Sequence, residues 1–137
     1  MAVPRQIAPG LFTDGVAPRL LAARCPACTK LHFPATESCP YCSYFGCEPA
    51  EIGPRASLYL FTVITNAPPG YRGPLPYGFG VVELPEGLRV VTRLTEHDLS
   101  RLHPGLPMRL VVEPLYVDGE GEPVLSYAFS PDVRTPT

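Results

Sequence analysis

The sequence predicts an all-β protein in two parts, a metal-stapled N-terminal ribbon followed by a five-stranded barrel with one short helix, and three observations carry this reading. Two C-x-x-C pairs lie close together near the N-terminus, 19 prolines and 12 glycines discourage long helices, and the region beyond residue 50 divides into five β-rich runs separated by turn chemistry. At 137 residues the chain suits one domain of ordinary size or two small ones sharing an interface, and it is too short for a large catalytic architecture. Charged residues make up 18%, apolar residues 45%, and the formal net charge is -2, which excludes charge-driven disorder and bulk polycationic attraction to nucleic acid.

Residues 1–18 read as an N-terminal extension that lacks a charged start followed by an apolar run of secretory length. No stretch approaches the roughly 20 apolar residues that cross a bilayer, so the expected location is cytoplasmic, without a membrane partner. In a reducing cytosol five cysteines are not expected to form structural disulfides, and metal ligation explains their spacing better.

Residues 19–50 read as a zinc ribbon. The segment CPACTKLHFPATESCPYC places Cys25 and Cys28 in one knuckle and Cys39 and Cys42 in a second, with ten residues between them. Two such turns bring four thiolates to one ion, the tetrahedral set that structural zinc prefers. With four sulfurs bound no position stays open for water or substrate, so the Zn2+ is expected to be structural. A redox dithiol fits poorly, because that chemistry uses one pair at a helix N-terminus and these pairs contain Pro26 and Pro40. Cys47 reads as a small buried hydrophobe, and His32, with four cysteines at hand, as a packed or exposed histidine.

Residues 51–137 read as the barrel. Residues 57–66, SLYLFTVITN, form a first strand expected to be buried over much of both faces. Residues 78–84 and 88–94 flank Pro85-Glu86-Gly87 as a hairpin. Thr95 to Asp98 reads as a capping box for a short helix, with Leu99 and Leu102 on one face and Pro104-Gly105 as its stop. Residues 107–117 form a fourth strand in which Pro114 implies an edge or a bulge, and after the turn residues Asp118 to Gly121 a fifth strand covers 123–129. Three strands, a short helix and two strands is the element order of the OB-fold. Between strands one and two, residues 67–77 contain Pro68, Pro69, Tyr71, Arg72 and Tyr77. Proline stiffness lowers the entropy lost on docking, and Tyr and Arg favour binding hot spots.

No nucleophile elbow, phosphate-cradling glycine loop, dinucleotide fingerprint or H-E-x-x-H helix occurs. His97 and His103 read as surface residues. Single-stranded nucleic-acid binding is the rival reading, since Tyr71, Tyr77 or Phe79 offer stacking faces, but the arginines are scattered among acids without a basic stripe.

The succession Arg24-Cys25, Phe33-Pro34, Cys39 with Cys42, Phe61-Thr62-Val63, Pro68-Pro69, Pro76-Tyr77 and Glu86-Gly87 resembles the zinc-ribbon plus OB-fold family of acyl-CoA-associated proteins, often encoded beside thiolases. The resemblance covers nearly the whole chain. It implies a small non-catalytic subunit of a thiolase-like enzyme, in the manner of the small subunit of benzoylsuccinyl-CoA thiolase, whose partner holds the nucleophilic cysteine and its histidine bases. It further implies a hetero-oligomer in which the ribbon and the 67–77 loop dock on the catalytic subunit and Arg24, Lys30 or Arg72 meets a CoA phosphate. A free-standing acyl-CoA-binding protein is the third reading. Many family members carry a longer N-terminal amphipathic helix, which Pro18 interrupts here, so contacts of that helix are not carried over.

Overall fold

The computed structural model describes residues 5–6, 10–13, 17–117 and 119–132, so much of the extension and Asp118 of the predicted turn lie outside the described residues. Among the described residues nine strands and one 3-10 turn follow in order: β1 (Arg5–Gln6), β2 (Leu20–Arg24), β3 (Leu31–His32), β4 (Glu48–Ile52), β5 (Arg55–Ile64), β6 (Tyr77–Leu84), β7 (Leu88–Leu94), the turn Leu99–Arg101, β8 (Pro107–Val117) and β9 (Pro123–Pro131).

Two sheets result. In the ribbon β2 lies between β3 and β4, antiparallel to both. The barrel strands run in the order β9-β7-β6-β5-β8, and the β8–β9 ladder closes the circuit. The one parallel contact among them, Leu94 with Phe129, makes the barrel mixed. This is the expected OB-fold. Alternation on β6 and β7 sends Val82, Leu84, Leu88, Val90 and Leu94 inward. Gly80 also faces inward, where a Cβ would collide with the Leu60 carbonyl oxygen on β5, so only glycine lets the two backbones approach.

The core is continuous across both sheets. Leu20, Ala22, Leu31 and Ile52 of the ribbon pack in one cluster with Leu58, Val82, Leu84 and Phe129 of the barrel. Phe12 joins it, bridged to Leu20, and the Tyr127 ring meets both Phe12 and Phe33 edge-on at centroid distances of 6.4 and 5.6 Å. The ribbon is therefore fixed against one flank of the barrel.

Three local expectations change. Strand β5 is not buried on both faces: Leu58 faces the core, while a bulge between Leu58 and Leu60 leaves Tyr59 and Leu60 exposed. A barrel wall has one inner face, so a run of apolar residues along it must leave some outside. The short helix is a single 3-10 turn whose N-cap is Asp98 rather than Thr95, its carboxylate accepting from the Ser100 amide at 3.0 Å. Leu102 reaches the core but Leu99 is exposed, because three residues cannot present a continuous apolar face. The Pro114 bulge appears as expected, between Pro114 and Tyr116 on the β8–β9 ladder.

Candidate metal centre

The two knuckles have the same backbone construction. In each, the amide of the first cysteine donates to the carbonyl five residues on, Cys25 to Lys30 at 3.0 Å and Cys39 to Tyr44 at 2.8 Å. The amide four residues on returns to the first cysteine, Thr29 to Cys25 and Ser43 to Cys39. Thr29 and Ser43, the residues after the second cysteines, both adopt left-handed backbone, with φ of 67 and 69°. For a β-branched residue this is unfavourable. Thr29→Gly is expected to stabilise the ribbon by up to about 1 kcal/mol, read as a higher denaturant midpoint. An unchanged or lower midpoint would show the strain is relieved elsewhere.

The four sulfurs of Cys25, Cys28, Cys39 and Cys42 lie within 4.8 Å of one another, with Cys25–Cys42 and Cys28–Cys39 each at 3.6 Å. That is far longer than a disulfide bond of about 2.05 Å. A Zn–S bond of about 2.3 Å gives a tetrahedron with edges of about 3.8 Å, close to the two 3.6 Å sulfur pairs, so the donor set suits zinc. The Cys28 and Tyr41 amides, each 3.4 Å from a knuckle sulfur, add hydrogen bonds suited to thiolates.

The four thiols do not ionise alike. Burial opposes ionisation of Cys25, but the Cys28 and Ala27 amides and the neighbouring thiols outweigh it and bring the group down to about 6. Cys39 is lowered likewise, burial being outweighed by the Tyr41 and Cys42 amides. At Cys42 the Tyr44 amide favours the thiolate, yet desolvation and the three adjacent sulfurs prevail and push it up to about 12. A folded-state value below the unfolded one contributes stability above the ordinary thiol value of 9.0 and loses it as pH falls through about 6. Metal release with proton uptake is therefore expected on acidification through and below that point, read with a chromogenic chelator. Full retention of metal in strong acid would contradict it.

Around the cluster the predicted contact residues fall into two groups. Arg24 and Lys30 are exposed and line a cleft of about 680 Å3 between the first knuckle and the β6–β7 hairpin, together with Tyr41, Glu83, Glu86 and Arg89. The Arg24 guanidinium donates to the Thr29 carbonyl at 2.6 Å, and the Lys30 ammonium sits 5.0 Å from the centre of the Tyr41 ring. Arg72 lies at the opposite end of β6, roughly 23 Å of strand away, stacked on Tyr116 at 4.9 Å. Pro68 and Pro69 beside it are exposed. Tyr71 is half-buried, its hydroxyl donating to the Pro74 carbonyl at 2.7 Å and its ring 4.7 Å from that of Tyr77. Tyr77 is buried beneath, at 8% exposure.

The sequence reading passed over three aromatics of the second knuckle. Phe45 is 69% exposed, Tyr41 54% and Tyr44 44%. The available signal was local: a metal-bound turn of this size has no interior in which to bury rings. Cys47 stands differently from expectation, whereas His32 is packed, one of the two states expected of it. Cys47 is half-buried beside the cluster, its thiol raised by burial and by the charges of Cys25 and Cys39. His32 is buried, with 4% exposure. His97 and His103 are exposed. Among the described residues no helix is long and apolar enough to cross a membrane.

Comparison with known proteins finds matches over most of the chain. Residues 13–44 match the rubredoxin-like zinc ribbon domain of ChsH2, and residues 50–113 match the ChsH2 C-terminal OB-fold domain. The benzoylsuccinyl-CoA thiolase subunit BbsA of Thauera aromatica is 33% identical over 116 residues, covering 85% of this chain and 78% of that protein. A probable enoyl-CoA hydratase alpha subunit of Thermomonospora curvata is 33% identical over 92 residues, but this chain spans only 28% of its length. Among solved structures, the Ltp2-ChsH2(DUF35) aldolase superposes with a TM-score of 0.64 at 30% identity, covering 82% of this chain and 84% of that one.

Proposed function

Since the chain belongs to the ChsH2 family of rubredoxin-like zinc ribbon and OB-fold proteins, we propose that it is the accessory subunit of a thiolase-fold enzyme acting on acyl-CoA, in β-ketoacyl-CoA thiolysis or a related C–C acyl transfer. Its zinc is structural, held by Cys25, Cys28, Cys39 and Cys42, and supplies rigidity to the ribbon rather than a Lewis acid. The partner carries the reacting groups.

One observation carries the docking assignment. The two knuckles are built alike, but the residue that follows the first, Leu31, is buried against the barrel, whereas its counterpart Phe45 stays 69% exposed among the described residues. Aromatic side chains on a rigid turn lose little entropy on association, and Tyr41, Tyr44 and Phe45 together make the anchor set expected of an interface centre. Beside them the cleft lined by Arg24 and Lys30, with Glu83 and Glu86 on the same wall, offers cationic groups for the phosphates of a CoA that enters between the two subunits. Arg72 and the exposed prolines of the 67–77 loop belong to a second, separate contact.

Nucleic-acid binding is less well supported: Tyr77 is buried, and Arg89, Arg93 and Arg101 face Glu83, Glu113 and Glu96. Co-expression with the thiolase-like subunit encoded nearby tests the proposal. A complex of fixed stoichiometry, with activity that needs both chains, is expected. Full activity from the large subunit alone, without co-purification, would refute it. Calorimetry of CoA with the isolated chain separates out a free-standing CoA-binding protein, which would bind CoA tightly without a partner.

A further inference from the structure

Beside the four-cysteine set lies a second group of ligand atoms. The sulfurs of Cys39 and Cys47 and a ring nitrogen of His32 are all within 4.8 Å of one another. His32 is 96% buried by its 4% exposure, and its Nδ1 has no hydrogen-bond partner, an uncommon state for a buried nitrogen. Its Nε2 lies 2.8 Å from the Thr36 hydroxyl oxygen. That hydroxyl gives its own proton to the Ser38 carbonyl at 2.7 Å, so in one tautomer it accepts from Nε2–H and the imidazole lone pair falls on Nδ1. In the other, the Thr36 amide donates to Nε2 at 3.2 Å and Nδ1 carries the proton, which a bound metal ion would displace. An imidazole oriented through its far nitrogen is the usual arrangement of a histidine that ligates metal.

We propose that His32, Cys39 and Cys47 form a second site for a thiophilic d10 ion such as Cu+ or Cd2+, sharing the Cys39 sulfur with the zinc cluster. One nitrogen and two sulfurs form a soft ligand set of the kind that selects these ions over harder ones. Four thiolates around one divalent ion retain excess negative charge, which a second cation on a bridging sulfur offsets. Access is open: Cys47 lines an apolar cleft of about 460 Å3 with Ala23, Ala35, Thr36, Glu37 and Pro49. This site does not depend on the accessory-subunit reading.

Native mass spectrometry of the full chain, metal-stripped and then saturated with Cd2+ under anaerobic conditions, tests the site. Two Cd2+ per chain are expected, falling to one in Cys47→Ala and in His32→Gln, with the first ion retained in both. A wild-type chain that stops at one ion, or a Cys47→Ala chain that still takes two, overturns the proposal. If either variant fails to fold, the wild-type stoichiometry alone decides, because one ion per chain leaves the second site empty at saturation.

Discussion

Cys39→Ser is expected to abolish zinc uptake and to unfold the ribbon, the largest effect any single substitution should have on this chain. Structural zinc sites of this kind contribute on the order of 10 to 16 kcal/mol at neutral pH, more than a three-stranded ribbon gains from its own apolar side chains. Cys39 is buried, its sulfur accepts from the Tyr41 amide, and its amide closes the second knuckle onto Tyr44, so the substitution removes a metal ligand and disturbs the turn together. The damage should not stop at the ribbon. Leu20, Leu31 and Ile52 pack against Leu58, Leu84 and Phe129 in one cluster, and the Phe12–Tyr127–Phe33 contacts span the junction. Hydrogen exchange should therefore show protection lost first over residues 20–52 and then weakened on the adjoining barrel strands. A variant that retains one zinc per chain and native protection in the ribbon would overturn the assignment of the cluster.

The second large effect is expected at the partner interface. Phe45→Ala should weaken binding to the thiolase-like subunit by at least about 30-fold, the consequence of losing roughly 2 kcal/mol at an aromatic anchor. Its own stability should change by no more than about 0.5 kcal/mol, since the ring is exposed and touches no core residue cluster. Tyr41→Ala is a less clean variant, because the ring also carries the Lys30 cation–π contact at the mouth of the cleft. Surface plasmon resonance against the purified partner, with thermal melts of the free chain, separates the two quantities. Unchanged affinity with unchanged stability would remove the second knuckle from the interface.

Much of this organisation was legible in the residues. The cysteine spacing picked out the four sulfurs that the fold brings together, because C-x-x-C has few chain-local solutions other than a knuckle. Strands β6 and β7 followed from the Pro85-Glu86-Gly87 turn between them, where the Gly87 amide does close on the Leu84 carbonyl at 2.9 Å. Pro114 announced its bulge for the same local reason. The run at residues 57–66 misled, because apolar content reports burial only when the geometry of the wall is known, and the bulge at Leu58 to Leu60 turned two apolar side chains outward. Thr95 was a sound cap by pattern, but Asp98 offered a carboxylate to Ser100 and took the role in a shorter turn.

What the amino-acid sequence determined by itself are the properties set within a few residues of backbone: the all-β class, the two knuckles, the hairpin and the element order of the barrel. What only the tertiary structure decided are the relations between segments distant in the chain. It brought Arg24 and Lys30 to the hairpin of Glu83 and Arg89, set Arg72 apart at the far end of β6, covered Leu31 and left Phe45 bare, and placed His32 beside Cys47. The physical reason is that ligand spacing and turn chemistry act through covalent neighbours, whereas exposure and cleft formation depend on which surface a second sheet happens to cover.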